Sequence, residues 1–201
     1  MRLRQDQALI AEWIAPGSRV LDLGCGDGAL LVELRRRLRV TGYGIEIDRD
    51  NIVRCLDAGV NVIHGNLDQG LEDFDDDSFD YVIMSQTLQA MRYPHLVIRE
   101  MLRVGREGIV TLPNFGHWTC RLQILGGRMP VTRHLPSTWY ETENIHMCTI
   151  SDFEALCARE RIEVLERAAV DSEHRAGFLM RFLPNLLAEI AIYRFRRKPH
   201  G

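Results

Sequence analysis

The sequence predicts an α/β fold: a seven-stranded, mostly parallel sheet with helices on both faces. Short apolar runs alternate with amphipathic helical stretches through the first 112 residues, and such alternation builds a parallel sheet with helical crossovers. The first apolar run passes straight into a glycine-rich turn, Val20 to Gly28, "VLDLGCGDG". Two more apolar runs close the chain after an irregular insertion.

Taken in order, Asp6 to Ile14 carries Ala8, Leu9, Trp13 and Ile14 at helical spacing, and Pro16-Gly17 ends that helix. Val20 to Leu23 is a buried strand. Ala29 to Leu38 is a helix with Leu30, Leu31, Leu34 and Leu38 on one stripe and arginines opposite. A strand at Tyr43 to Ile47 precedes a helix from Arg49 to Ala58 that Gly59 stops. Val60 to Ile63 and Phe79 to Met84 are strands three and four. Pro94 to Val104 is a helix with proline in its first turn, and Gly108 to Leu112 is strand five. Phe115 to Leu125 predicts one more helix, after which Gly126-Gly127, Pro130 and Pro136 break the pattern. Ser151 and Glu154 predict a capping box. Ile162 to Ala168 and Glu189 to Phe195 complete the strands, around a loop and short helix containing Phe178 to Leu187. The acidic stretch from Asp68 to Asp80 is expected to be a solvated connection, and the basic tail from Arg194 to Lys198 a solvated strand end.

Composition bounds the function. With 201 residues and a formal charge of −3, the chain lacks the broad electropositive footprint of a duplex-binding protein, so no nucleic-acid partner is expected. No apolar stretch approaches a membrane span, and the first ten residues hold two arginines and an aspartate without an apolar signal core. A cytoplasmic protein is expected. Cys25, Cys55, Cys120, Cys148 and Cys157 include no Cys-x-x-Cys pair, so they are expected as reduced thiols. The histidines lack the spacing of zinc ligands, and no metal is expected. Residues 1–201 are expected to form one domain, with residues 114–148 inserted as a cap or docking segment.

The glycine turn states what the edge of the sheet is for. A strand feeding a glycine loop and then a helix brings backbone N–H groups and little bulk to the carboxyl edge of a parallel sheet, where nucleotide-like ligands bind. Gly24-x-Gly26-x-x-Ala29, with Glu46 twenty residues beyond Gly26, also satisfies the loose dinucleotide fingerprint. Charge separates the candidates. Asp22 and Asp27 would repel a pyrophosphate, whereas an ammonium or sulfonium is welcome beside them. S-adenosylmethionine carries both, and its ribose hydroxyls suit an acid at the end of the second strand. A Walker phosphate loop is excluded because no Lys-Ser or Lys-Thr follows the glycines.

These residues resemble the first motif of the class I S-adenosylmethionine-dependent methyltransferases, with a Rossmann-like fold. The resemblance implies that Asp22 faces the ammonium end of the methionine moiety while Gly24, Gly26 and Gly28 allow close approach. It further implies that Glu46 takes the ribose hydroxyls, Ile47 covers the adenine, and Asp68 with Leu67 receives the adenine amino group. Ser85 and Gln86 would lie near the sulfonium. Strand four ends in "SQTLQ" rather than Asn-Pro-Pro-Tyr or Asp-Pro-Pro-Tyr, which points to a small-molecule acceptor or none.

The insertion holds Trp118, Trp139, Tyr140, His117, His134 and His146. Of these, His117, Tyr140 and His146 are the candidates for contact with an acceptor, although a histidine without a paired carboxylate is more simply packing. "SQTLQA", "LPNFGHW", "GRMPVT" and "WYETENIHMCTISDFE" are similar to the MetW family of methionine-biosynthesis proteins over nearly the entire chain. That similarity implies work beside homoserine O-acyltransferase in making O-acylhomoserine, with Trp118, Trp139 and Tyr140 as docking candidates. The alternatives are an active small-molecule methyltransferase and, more distantly, a nicotinamide-dependent oxidoreductase. A homo-oligomer stays open.

Overall fold

The computed structural model describes residues 4–132, 134–170 and 182–199. Helices α1 (Gln5–Trp13), α2 (Ala29–Leu38) and α3 (Arg49–Asp57) alternate with strands β1 (Arg19–Leu23), β2 (Thr41–Glu46) and β3 (Val62–His64). Then follow β4 (Phe79–Ser85), α4 (Pro94–Val104), β5 (Gly105–Pro113), α5 (Trp118–Leu125), α6 (Ile150–Arg159), β6 (Ile162–Val170), α7 (Pro184–Leu187) and β7 (Ile190–Arg197). The seven strands form one sheet in the order β3-β2-β1-β4-β5-β7-β6. The pairs from β3 through β5 are parallel, and β7 runs antiparallel to both β5 and β6. The expected fold class is therefore the observed one. Residues 178–181 of the expected final connection lie outside the described residues.

Two apolar layers cover the sheet. One contains Ile98 and Met101 of α4 with Phe153 of α6, and the other contains Ile10 of α1 with Leu30 and Leu34 of α2. Along β1 the side chains alternate between layers, Leu21 and Leu23 entering the first and Val20 the second. Asp22 therefore shares the face of Val20, a carboxyl where the pattern calls for an aliphatic group. Phe153 packs its ring 4.6 Å from that of Tyr193, and burial of such a side chain stabilises by about 1.5–3 kcal/mol.

Two local expectations need correction. The capping box of α6 is built by Thr149 and Asp152, not Ser151 and Glu154: Thr149 Oγ1 accepts from Asp152 N (3.2 Å) and Asp152 Oδ2 accepts from Thr149 N (3.0 Å). Starting the helix there buries Ile150, Phe153 and Cys157 on one stripe. Glu154 Oε1 instead accepts a hydrogen bond from the Tyr193 hydroxyl at 3.0 Å. The acidic connection is more than solvated chain, because Arg103 gathers it, donating to Leu71 O (2.9 Å), Phe74 O (2.8 Å) and Asp76 Oδ1 (2.8 Å). Leu71 and Phe79 are thereby buried on either side of it. The basic tail is solvated from Arg196 to Lys198, as expected, and two of its arginines are paired, Arg194 with Glu107 (3.1 Å) and Arg196 with Glu163 (2.8 Å).

Candidate functional site

Strands β1, β2 and β4 end at one edge, and there β1 runs into the glycine loop. Gly24 N and Cys25 N both donate to Ile45 O, at 2.8 and 3.1 Å, which folds the loop back over the end of β2. All three loop glycines have positive φ: +71° at Gly24, +57° at Gly26 and +74° at Gly28. Their surroundings differ. A Cβ on Gly24 would lie 2.7 Å from Thr87 Oγ1 and one on Gly28 3.0 Å from Cys55 Sγ, whereas one on Gly26 would meet nothing within 4 Å. Gly24 and Gly28 thus let the protein pack on itself, and Gly26 faces open space.

Glu46 closes the loop from the β2 side. Its Oε2 accepts from Gly26 N at 2.7 Å, and its Oε1 accepts from Ile47 N and Asp48 N, both at 2.9 Å. Beyond it lies a cavity of about 450 Å³ lined by Gly24, Glu46, Ile47, Leu67, Asp68 and Gln86. Ile47 is an exposed apolar side chain on that wall. Leu67 is buried, and Asp68 accepts from Arg92 N at 2.9 Å. Six of the ten cofactor-binding candidates thus line one cavity.

The remaining polar groups form a second cluster at the ends of β1 and β4. Asp22 is 2% exposed and its Oδ1 has no hydrogen-bond partner. Burial pushes its carboxyl up to about 7, the Glu46 charge adding to the rise and the Arg4 guanidinium opposing it. Ser85 is buried and does not stand free for a ligand: its Oγ accepts from Arg4 Nη2 (2.7 Å), donates to Asp6 Oδ2 (3.2 Å) and meets Thr111 Oγ1 (3.3 Å). Gln86 turns with φ +56° and donates from Nε2 to Asp6 Oδ2 at 3.1 Å. A non-glycine residue in that conformation, held by neighbours on both sides, is a feature of functional edges.

Arg4, Asp6, Thr87, Glu143 and Asn144 were not singled out in the sequence. The first two come from the start of α1, and the last two line the cavity from the insertion. The insertion is tied down by Ile145 N and His146 N, which both donate to Gln89 O at 2.9 Å. The acceptor candidates are placed elsewhere. His117 is buried at the start of α5 with Nδ1 2.7 Å from Thr119 Oγ1, and burial lowers its proton affinity. His146 Nε2 lies 3.2 Å from Arg92 O, and Tyr140 is exposed with its ring edge-on to Trp139. None of the three lines the cavity. Trp118, Trp139 and Tyr140 are all exposed. Among the described residues no group of His, Cys, Asp or Glu is placed to hold a metal ion, and no helix is long and apolar enough to cross a membrane.

The same fold is found in solved structures. An S-adenosylmethionine-dependent methyltransferase from Mesorhizobium loti superposes with a TM-score of 0.68 at 16% identity, covering 94% of this chain and 96% of that one. The [4+2]-cyclase SpnF superposes with a TM-score of 0.67 at 18% identity, covering 98% of this chain and 82% of that one. Strand order, glycine loop and these likenesses define the class: the chain has the Rossmann-like fold of the class I methyltransferases. A second reaction on the same fold shows that the fold does not fix the chemistry. The family is narrower. The model of the methionine biosynthesis protein MetW matches residues 4–195, and the chain belongs to the MetW family. A curated relative, the bifunctional methionine biosynthesis protein MetXA/MetW of Rhodopirellula baltica, is 35% identical over 98% of this chain. The chain spans 33% of that protein's length.

Proposed function

We propose that the protein binds S-adenosylmethionine or S-adenosylhomocysteine and serves in methionine biosynthesis as a partner or activator of homoserine O-acyltransferase in forming O-acylhomoserine. The residues fit the cofactor. Gly26 leaves open space against main chain, Ile47 offers an apolar face, and Asp22 holds an orphaned carboxyl oxygen that an ammonium would satisfy. Glu46 would take the ribose hydroxyls, Asp68 with Leu67 the adenine, and Asp22 the amino group. Gln86 would stand beside the sulfonium, with Ser85 behind it as support. When bound, S-adenosylmethionine would supply an electrophilic methyl group.

The partner role is carried by one observation: nearly all of this chain aligns with one third of a single polypeptide whose name joins MetXA to MetW. Two activities joined in one chain point to two proteins that work together when separate. The exposed Trp118, Trp139 and Tyr140 supply aromatic anchors for such docking. No histidine or tyrosine of the insertion lines the cavity, whereas Glu143 does.

The test is co-purification with the homoserine O-acyltransferase of the same organism, followed by acyl transfer measured with and without this protein and S-adenosylmethionine. A complex and a changed acylation rate are expected, and independence of both would refute the role. Trp139→Ala should reduce partner capture roughly tenfold. Because Trp139 is exposed, its replacement should leave melting and cofactor affinity within about 0.5 kcal/mol of the parent. Loss of cofactor affinity instead would place Trp139 in the cavity.

A further inference from the structure

A second cavity, of about 300 Å³, opens where α4, α6 and the insertion meet, a size at the lower end of the ~300–1,000 Å³ of small-molecule sites. None of the residues lining it also lines the cofactor cavity. A molecule held there therefore stands apart from Gln86 and the position assigned to the sulfonium. The wall is largely apolar: Leu88, Leu112 and Phe153 are buried and Leu156 is half-buried. Cys148 adds no charge, because burial and the Asp152 carboxylate push its thiol up to about 11.

Two polar groups on this wall lack settled partners. Gln89 is 8% exposed; its Nε2 donates to Gln86 O at 2.6 Å, while its Oε1 has no hydrogen-bond partner among the described residues. A buried carbonyl oxygen without a donor is costly, and a ligand N–H would relieve it. Arg159 supplies the opposite chemistry. Its Nε lies 3.4 Å from Glu160 Oε1, but that carboxylate is already gripped by Arg99 Nε at 2.7 Å, and the Arg159 side chain keeps 68% of its surface exposed. Its guanidinium is thus open to a further carboxylate. Asp152, the acid of the lining, is engaged instead by Thr149 N at 3.0 Å and Thr149 Oγ1 at 2.7 Å.

We propose that this cavity is a second binding site, for a small apolar α-amino acid. The aliphatic side chain would lie on Leu88, Leu112, Phe153 and Leu156, the ammonium would donate to Gln89 Oε1, and the carboxylate would meet Arg159. One strap of chain divides this site from the cofactor cavity. Glu143 and Asn144 line the cofactor cavity, His146 to Cys148 line the second, and Ile145 N and His146 N both donate to Gln89 O at 2.9 Å. Gln89 thus holds the partition with its backbone carbonyl and keeps its side-chain oxygen for a ligand.

The test compares ligands that each lack one of the three features. Titration calorimetry on the full chain would use L-norleucine, hexanoate, which has no ammonium, pentylamine, which has no carboxylate, and L-serine, which has no apolar chain. The wild type should bind L-norleucine about tenfold or more tighter than each of the others. Gln89→Met should weaken L-norleucine about tenfold while leaving hexanoate within about twofold, because the backbone carbonyl that holds the strap is untouched. Arg159→Met, at an exposed position, should weaken L-norleucine to a similar degree while leaving pentylamine within about twofold. L-Norleucine should still bind the protein saturated with S-adenosylhomocysteine. Competition between the two would place the amino acid in the cofactor cavity and overturn the second site. No preference for L-norleucine, unchanged affinity in both variants, or equal loss of every ligand in them would overturn it as well. Failure of S-adenosylhomocysteine to bind, with L-norleucine still bound, would overturn the cofactor reading alone and leave this site standing.

Discussion

Glu46→Ala is expected to weaken binding of S-adenosylhomocysteine by about 1–3 kcal/mol through lost charge-assisted hydrogen bonds to the ribose. The same substitution is expected to cost about 2–4 kcal/mol of stability, for a different reason. The carboxylate holds three backbone N–H groups, those of Gly26, Ile47 and Asp48, at 2.7–2.9 Å. Removing it leaves donors unpaired beside a residue that is 8% exposed, and buried donors without partners are costly. A melting temperature lower by roughly 5–15 °C should follow in a chain of this size. Glu46→Gln separates the two effects. It keeps one acceptor oxygen of the same shape, so most of the melting temperature should return, while affinity should stay reduced because the charge is gone. Unchanged calorimetric affinity in both variants would refute the ribose assignment.

This double duty explains what the sequence could and could not show. A strand, a glycine turn and a helix are contiguous, so Val20 to Gly28 announces its geometry directly, and the acid at the end of β2 lies at a fixed offset from it. The α/β alternation likewise dictates parallel pairing through β5. Arg4 and Asp6 carry no such signature. They reach Ser85 across 81 and 79 residues of chain, and only folding brings them together. One trace was nonetheless available. Asp6 stands four residues before Ile10 and eight before Ile14, on the stripe of α1 that is otherwise apolar and buried, and an acid on a buried stripe requires a partner.

The helix α6 shows the opposite failure. Ser151 and Glu154 satisfy the capping pattern by letters, but Thr149 and Asp152 satisfy it too, and burial of Ile150 decided between them. The acidic connection misled for a related reason. Its charges are local and visible, while Arg103, which organises it, sits on a helix 27 residues beyond Asp76. Glu143 and Asn144 were illegible because the insertion around them has no period to read. Their place on the cavity wall follows from two backbone bonds to Gln89.

Asp22→Asn should act with opposite signs on stability and on binding. In the protein without cofactor, the Asp22 carboxyl is raised from an ordinary 3.8 to about 7, first by burial and then by the neighbouring Glu46 charge, with Arg4 opposing. A carboxyl raised in the folded state contributes stability that is complete below about pH 4 and lost as pH climbs through 7. The gap corresponds to a cost of ionisation on the order of 4 kcal/mol above pH 7. Asparagine cannot ionise, so it removes this cost, at the expense of burying an amide whose donors lose about 1–3 kcal/mol if unpaired. Asp22→Asn should therefore melt higher than the parent at pH 8 and lower at pH 4, with a flatter profile between. Binding runs the other way. An ammonium placed against Asp22 favours the ionised carboxyl, so uptake of S-adenosylmethionine should release a proton near neutral pH. Its affinity should rise up to about tenfold per pH unit from pH 5 toward 7. In Asp22→Asn that slope should vanish and the affinity at pH 8 should fall by about tenfold or more. Thermal melts and calorimetry at pH 5, 6, 7 and 8 read both quantities. A parent affinity that is flat with pH, or a variant that melts lower than the parent at pH 8, would show that Asp22 is neither the strained acid nor the ammonium partner.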